Sequence, residues 1–600
     1  MRKDSADGAE REPSEADGRP RADRGGPLTR RDPSDIGDLG TADRPGEEGD
    51  EIGGAAHAAP ANLMRSSAVM ALGTVVSRAT GFGRTLVLAA ALGVHLLGDA
   101  YQAANMVPFT VYDLLIGGLL ASVIVPFLVK RKRLDADGGD ATEQRLFTLT
   151  VLALLAVTVA AIAAAEFLIW IYASEFEPAQ REVAVALARF LLSQIFFIGV
   201  SGITSAMLNS RNRFAAPMWA PILHNITVMA VGSLFLLQAG SGTTPESITD
   251  GQIQLLGIGT AAGMAVQSAV LLFSLWRAGF RWRPRLDLRG SGLGEAVRTA
   301  GWMLVYIAVN QLGFLVTTNV TTSAGARSAE AGSGITAYQY AFQLFQLPYA
   351  IIAVSVITAL LPRMSAHVAD GRRDLVRDDF SNGFRMSSVL IVPTSIALAV
   401  FATQFCTLVY ARGSTSVDDA RNIGAILAVF ALMLIPFTLF QLQLRVFYAL
   451  GDTRTPALIA IPSEVVHAAV SFTILFTVEP TRIVLLMPVA YGLYYMVAAA
   501  IAWVMLSRKL AGLDGRRVLR TTLALYASAV PSAVFAMAMI FAFGALPSAT
   551  LASVLSMVVG TAGGVLLFIL SARLLKVTEV TTFLTMVRTR LLRRGAEKGR

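Results

Sequence analysis

The sequence predicts an all-α polytopic membrane protein with about fourteen transmembrane helices. Three observations carry that reading. Apolar residues make up 54% of the 600-residue chain and charged residues only 16%, where soluble domains carry about 25% charged. From residue 63 onward, apolar segments long enough to cross a bilayer follow one another with short polar breaks. The breaks alternate in charge, basic after every second segment and short or acidic in between, the signature of a chain threaded back and forth.

Residues 1–60 are rich in Asp, Glu, Arg, Gly and Pro with almost no aromatics. They cannot bury enough apolar surface to fold and read as a disordered cytoplasmic tail. The tail has no apolar run that would make it a signal peptide. The predicted spans are 63–95, 101–129, 146–173, 183–209, 217–237, 253–277, 297–322, 336–362, 384–410, 421–449, 457–478, 483–506, 519–543 and 549–574. Pro108, Pro348, Pro393 and Pro436 fall inside spans, where neighbouring helices can re-satisfy the freed backbone groups and the helix can bend. Even loops are basic: Lys130 to Arg133, Arg211 and Arg213, Arg277 to Arg289, Arg372 and Arg373, Arg508 to Arg520. Odd loops carry Glu175 and Glu177, Asp418 and Asp419, or Glu479. The positive-inside rule puts both termini in the cytoplasm of a multi-pass plasma-membrane protein.

The net charge of +9 is thereby explained by orientation, and no nucleic-acid partner is expected. Cys406 is the lone cysteine, which excludes an intrachain disulfide and a thiol metal cluster. The five histidines lack metal-ligand spacing, and no phosphate-binding G-x-x-x-x-G-K-[ST] loop occurs. Paired acids on a shared loop are also missing. No metal, cofactor or enzymatic activity is expected.

A faint repeat divides the chain. Leu208 to Pro217 and Phe447 to Pro456 each end an apolar helix in a short polar turn with Pro opening the next, and Pro108 is matched by Pro348. The spacing of about 240 residues suggests two six-helix halves, which places a substrate site between them. The expected organisation is a tail at 1–60, an N-lobe at 61–290, a C-lobe at 291–510, two further helices at 511–578 and a basic tail at 579–600. The tail's Arg588 to Arg600 stretch suits anionic lipid headgroups.

The chemistry concentrates at residues 77–99, inside the first apolar span, which carries Arg78 and Arg84. Each arginine at membrane depth costs about 2.5–3.5 kcal/mol unless compensated. Residues six apart on a straight helix point about 120° away from each other, so a bend at Gly81 and Gly83 would be needed to bring both guanidinium groups to one cavity. A guanidinium fork matches phosphate oxygens. The expectation is a cationic transport cavity for a phosphorylated, anionic substrate.

Ser77-Arg78-x-x-Gly81-Phe82-x-Arg84 followed by Asp99-Ala100, and Leu208-Asn209-x-x-Asn212-Arg213-Phe214-x-x-Pro217-x-x-Ala220-Pro221-x-Leu223-x-Asn225, resemble the MurJ/MviN-type lipid II flippases of the multidrug/oligosaccharidyl-lipid/polysaccharide exporter superfamily. The resemblance covers residues 63–575. It implies a V-shaped fold of two six-helix lobes plus two C-terminal helices that form a groove for a lipid tail. It implies alternating access and an undecaprenyl-pyrophosphate-linked peptidoglycan precursor carried to the outer leaflet, in support of cell-wall synthesis and cell shape. Cell-wall synthesis or division proteins become candidate partners beside membrane lipids. Alternatives are export of another lipid-linked oligosaccharide or drug, or a transport-inactive scaffold. The resemblance assigns substrate contacts to Ser77, Arg78, Arg84 and Asp99, and a basic helix-four position to Arg189. It also shows departures. Tyr112 and Asp113 stand where the family pattern has basic residues, Gly117 where it has an acid, and Gln343 and Gln346 where it has Arg and Glu. Neutral glutamines still donate hydrogen bonds to phosphate or sugar oxygens. Asp113 is positioned to neutralise Arg78 or Arg84 in the empty state.

Three further features complete the reading. Arg445 and Glu464 lie at equal depth, roughly 9–14 Å from the turn that joins their helices, which makes an ion pair plausible. His224 and His467 are expected to be satisfied by local hydrogen bonds, with proton coupling as the alternative. Residues 366–383 read as an amphipathic, solvated connector.

Overall fold

The structure, a computed structural model, describes residues 59–114, 139–211, 213–286, 293–328 and 333–598. The tail, Lys130 to Arg133, Gly117, Pro126 and Arg289 lie outside these residues. Leu63–Arg600 packs as one compact unit. All regular structure among the described residues is helical. The first half comprises α1 (Ala59–Leu92), α2 (Leu96–Tyr112), α3 (Asp140–Ala163), α4 (Ala165–Tyr172), α5 (Pro178–Leu191), α6 (Gln194–Ser210), α7 (Ala215–Ala239) and α8 (Asp250–Arg277). The second comprises α9 (Leu293–Arg327), α10 (Ile335–Pro348), α11 (Val354–Ala369), α12 (Arg373–Tyr410), α13 (Val417–Leu432), α14 (Leu434–Ala449), α15 (Arg454–Thr477) and α16 (Pro480–Lys509). Then come α17 (Gly515–Gly544), α18 (Ala549–Leu574) and α19 (Thr578–Lys598).

Among the described residues, twelve stretches are long and apolar enough to span a membrane, thirteen with the bent pair α13–α14. The predicted second span is described only through its first half. Several predicted spans are broken inside. Residues 146–173 divide between α3 and α4, and 183–209 between α5 and α6. α13 and α14 meet at 50°, because Pro436 lacks the N–H that would bond to the Leu432 carbonyl. Residues 373–383, expected as connector, form the first turns of α12. At 1.5 Å per residue that 38-residue helix is about 57 Å long, well beyond a hydrocarbon core of about 30 Å.

Helix starts are chemically marked. Thr249 with Gln252 forms a capping box on α8, Ser416 with Asp419 forms one on α13, and Pro178 and Pro480 open α5 and α16. Each half has its own apolar core. Leu97, Ala100, Leu187, Leu191 and Val228 centre one, and Phe345, Phe380, Phe430, Phe440 and Phe447 the other. Leu237, Phe476 and Phe541 are largely exposed, as lipid-facing residues should be. α17 and α18 pack on each other and on α12. The basic helix α19 is tied down at its start, where buried Arg385 of α12 pairs with Glu579.

The odd loops gather on one face, around a cavity of about 660 Å³ that reaches Leu92, His95, Glu177, Glu246, Arg327 and Ser414. Here the two halves are stitched together. The Ser414 amide donates to the Ala90 carbonyl at 2.8 Å, and Thr415 Oγ1 to the Ala89 carbonyl at 2.7 Å. Arg327 pairs with Glu175. Two glycines permit the approach. Gly93 (φ +69°) would bring a Cβ to 2.8 Å from the Ser414 carbonyl, and Gly413 (φ +60°) would drive one into the Ala90 carbonyl. Both need a backbone that L side chains rarely adopt.

His95 closes the same seam, with Nε2 3.2 Å from Asp419 Oδ2. The hydrogen bond to that carboxylate raises its pKa against the opposing effect of burial. The sign follows. A raised folded-state pKa gives stabilisation that is fully present below the ordinary histidine value of about 6.5 and fades as pH climbs through the raised value. His95→Ala should therefore lower the thermal midpoint of the detergent-purified protein at pH 6 and leave it almost unchanged at pH 9. An equal effect at both values would mean the contact is not charge-dependent.

Candidate functional site

Between the halves lies a second cavity, of about 200 Å³. α1 contributes Arg84 and Thr85, α2 Tyr101, Gln102 and Asn105, α7 His224, α8 Thr260, and α10 of the second half Gln339, Tyr340 and Gln343. Leu88 and Val228 are its apolar lining. The helical period explains the set. Tyr101 with Asn105, and Gln339 with Gln343, are i,i+4 pairs that put polar groups on one stripe of an apolar helix.

The hydrogen bonds within the wall turn acceptors inward and leave donors for the cavity. Gln343 Oε1 accepts from Thr85 Oγ1 at 2.8 Å, so its NH₂ remains. Asn105 Oδ1 accepts from Gln194 Nε2 at 3.3 Å. Tyr101 and Thr260 share a bond of 2.9 Å between their oxygens. Gln339 Nε2 is buried without a hydrogen-bond partner, which leaves a donor for a bound group, while the His224 ring is held by the Gly263 backbone. Arg84 supplies a permanent positive charge, and no carboxylate lines the cavity among the described residues. A donor-rich, singly cationic chamber fits an oxyanion such as phosphate.

The other predicted site residues lie elsewhere. Arg78 is exposed and does not line the cavity. α1 runs as one continuous helix through Gly81 and Gly83. Both glycines face α7, where a Cβ would make ordinary contacts with Asn225 Nδ2 at 3.5 Å and Met229 Sδ at 3.6 Å. Asn225 holds α1 directly, donating to the Ser77 carbonyl at 3.2 Å and to Thr80 Oγ1 at 3.1 Å. Ser77 thus enters through its backbone.

Asp99 is buried at the odd-loop face. Its Oδ1 accepts from the Thr336 amide at 2.8 Å, in the first turn of α10, where a carboxylate meets the positive end of the helix dipole. Its other oxygen fills the space that a side chain at Gly334 would need. Asp113 faces Gln311 of α9 at 3.4 Å rather than either arginine. Gln346 is off the cavity stripe, and Arg189 is exposed at the end of α5.

The expected Arg445–Glu464 pair does not form. Glu464 Oε1 lies 2.6 Å from His467 Nδ1, tucked against Gly313, and His467 Nε2 is 3.2 Å from Thr317 Oγ1. Arg445 stands 5.9 Å from the Tyr448 ring centroid. Equal depth placed the two at one level, but they face different sides of their helices.

Sequence reasoning missed Tyr101, Gln102, Asn105, Thr260, Gln339 and Tyr340. The i,i+4 polar stripes on otherwise apolar helices were the signal that could have found most of them.

Comparison with known proteins supplies the context. The family model described as "Lipid II flippase MurJ" matches residues 88–570. A Rhizobium meliloti (strain 1021) protein named "Probable lipid II flippase MurJ" is 27% identical over 420 residues, covering 69% of this chain and 75% of that protein. The "Lipid II flippase MurJ" of Burkholderia cenocepacia is 27% identical over 410 residues, covering 67% and 76%. Among solved structures, "Lipid II flippase MurJ, inward closed conformation" superposes with a TM-score of 0.66 at 18% identity, covering 84% of this chain and 98% of the other. An inward-facing multidrug resistance MATE family transporter of the MOP superfamily gives 0.59 at 16% identity, covering 73% and 95%. Both structural matches speak to fold.

The Asn225 contacts can be tested without transport. Asn225→Ala removes both bonds to α1 and should cost about 1 kcal/mol, read as a lowered thermal midpoint. Ser77→Ala keeps the backbone carbonyl and should leave the midpoint in place. Equal losses would move the role to the Ser77 hydroxyl.

Proposed function

The chain belongs to the lipid II flippase MurJ family, and on that premise we propose that it moves lipid-linked peptidoglycan precursor from the cytoplasmic to the outer leaflet by alternating access. It is a transporter and breaks no bond in its cargo. The observation that carries the site assignment is the chamber shared by the two halves, with Arg84 on one wall and the amides of Gln339 and Gln343 on the other. At about 200 Å³ it suits the diphosphate linkage, while the sugar and peptide extend beyond it and the polyprenyl chain stays in lipid.

The stitched odd-loop face gives the cycle its direction. With the basic even loops in the cytoplasm, the odd loops lie outside, so the outer gate is shut and headgroups enter from within. Breaking the bonds between Ala89, Ala90, Asp99 and His95 and their partners across the seam would open that gate. Asp99 is then a gate residue, not a headgroup contact. The two six-helix lobes rock about the chamber between them, parting at this seam, with α17 and α18 alongside.

Arg84→Ala should lose a charge-assisted contact worth about 1.5–3 kcal/mol, a ten- to hundredfold drop in transport. It should fail to rescue cells depleted of their own flippase at matched membrane levels. Arg84→Lys should rescue in part, and Arg78→Ala should rescue nearly fully. Full rescue by Arg84→Ala would end the assignment.

Orientation has its own check, helped by the burial of Cys406. Ser241→Cys should react with an impermeant maleimide on intact cells, and Arg372→Cys only after permeabilisation. The reverse pattern would invert the proposed direction.

A further inference from the structure

We propose that His224 is the second cation of the chamber, taking up one proton as a diphosphate enters and giving it up on release. This rests on the flippase reading above and adds the charge balance of binding to it. Each phosphate of a diester diphosphate keeps a negative charge, while Arg84 is the lone permanent cation among the described lining residues. One charge is left unmatched, and an unmatched charge away from water is strongly unfavourable.

His224 is placed to match it. Its residue is 5% exposed, it lines the chamber, and its ring is held by the Gly263 backbone of α8. The position is built into the helix packing. Nδ1 rests against α8 where a Cβ at Gly263 would come within 2.9 Å, and the next residue, Asn225, pins α7 to α1.

The groups facing the ring leave no other way to supply the charge. α1 presents Arg84, α2 presents the neutral phenol Tyr101, and α10 presents Tyr340. α8 offers only the neutral Thr260 and Gly263. With the chamber empty, a proton on the ring would sit beside the like charge of Arg84, an unfavourable pairing where the dielectric is low. An anion between the two reverses that sign. Histidine is the side chain whose charge can change so near neutral pH. The proton comes from water on loading and returns to water on unloading, so no bond in the substrate changes.

The test uses the full chain in nanodiscs of neutral lipid, with fluorescent lipid II as the probe, from pH 5.5 to 8.5, a range in which the diester diphosphate does not titrate. Calorimetry in two buffers of different ionisation enthalpy should show uptake of about one proton per probe bound by the unaltered protein. Affinity should fall towards tenfold per pH unit at the upper end. His224→Gln should bind weakly with a flat profile, and His224→Lys tightly with a flat profile. Absence of proton uptake, or an unchanged pH slope in His224→Gln, overturns the proposal while leaving the flippase reading intact. Failure of the unaltered protein to bind the probe at any pH, or equal binding by Arg84→Ala, overturns the flippase reading itself and this proposal with it.

Discussion

A guanidinium at membrane depth has to be solvated by something, and the answer to that demand organises this molecule. Arg84 lies in a chamber that, among the described residues, no carboxylate lines. The chamber wall instead presents amides, hydroxyls and one imidazole, which moderate the field of the charge without cancelling it. A salt bridge would have lowered the cost of burial and removed the site's attraction for an anion. Leaving the charge without a counter-ion is less stable and more useful.

The second constraint is steric. The chamber exists because two halves with separate apolar cores touch mainly at one end. That touching depends on backbone geometry that only glycine tolerates well, at Gly93 and Gly413, and on space left empty at Gly334 so that Asp99 can reach the first turn of α10. The bonds across the seam run mostly between backbone groups and short side chains. Contacts of that kind are individually modest, about 0.5–1.5 kcal/mol each. A seam made of several small bonds can be closed firmly and still be opened by the binding energy of one substrate.

The membrane-spanning helices were legible because hydropathy and loop charge report depth and direction, the two coordinates a bilayer imposes. Azimuth around a helix axis is what those signals omit. Arg445 and Glu464 illustrate the gap. They were read at one depth, yet Glu464 turns to His467, which meets Thr317, while Arg445 turns to a tyrosine ring. Gln343 and Gln346, three residues apart, divide the same way, one in the wall and one out of it. Arg78 was paired with Arg84 on the assumption of a bend, but glycine only permits a bend, and in the structure Arg84 alone of the two lines the chamber. Asp99 was legible only through the family resemblance, as a substrate contact. That its partner is the start of a helix 237 residues further on depends on tertiary packing that no local pattern encodes.

The internal repeat carries the argument one step further. Pro108 and Pro348 stand about 240 residues apart, and the structure adds a feature to each. α2 passes into a π turn at Asp113 and Leu114, and α10 passes through a π-helical segment at Tyr349–Ala353 into α11. A proline leaves one carbonyl without its usual donor, and a widened turn is one way for the backbone to absorb the mismatch. The two helices lining the chamber from opposite halves thus each carry an irregular turn beyond their chamber-facing residues. α1, by contrast, is continuous. If the halves rock to open the odd-loop seam, deformation is easiest where the hydrogen-bond ladder is already irregular. The compliant points are therefore the paired turns of α2 and α10, while Arg84 rides on a rigid helix and keeps its place relative to His224 and Thr85 throughout the cycle.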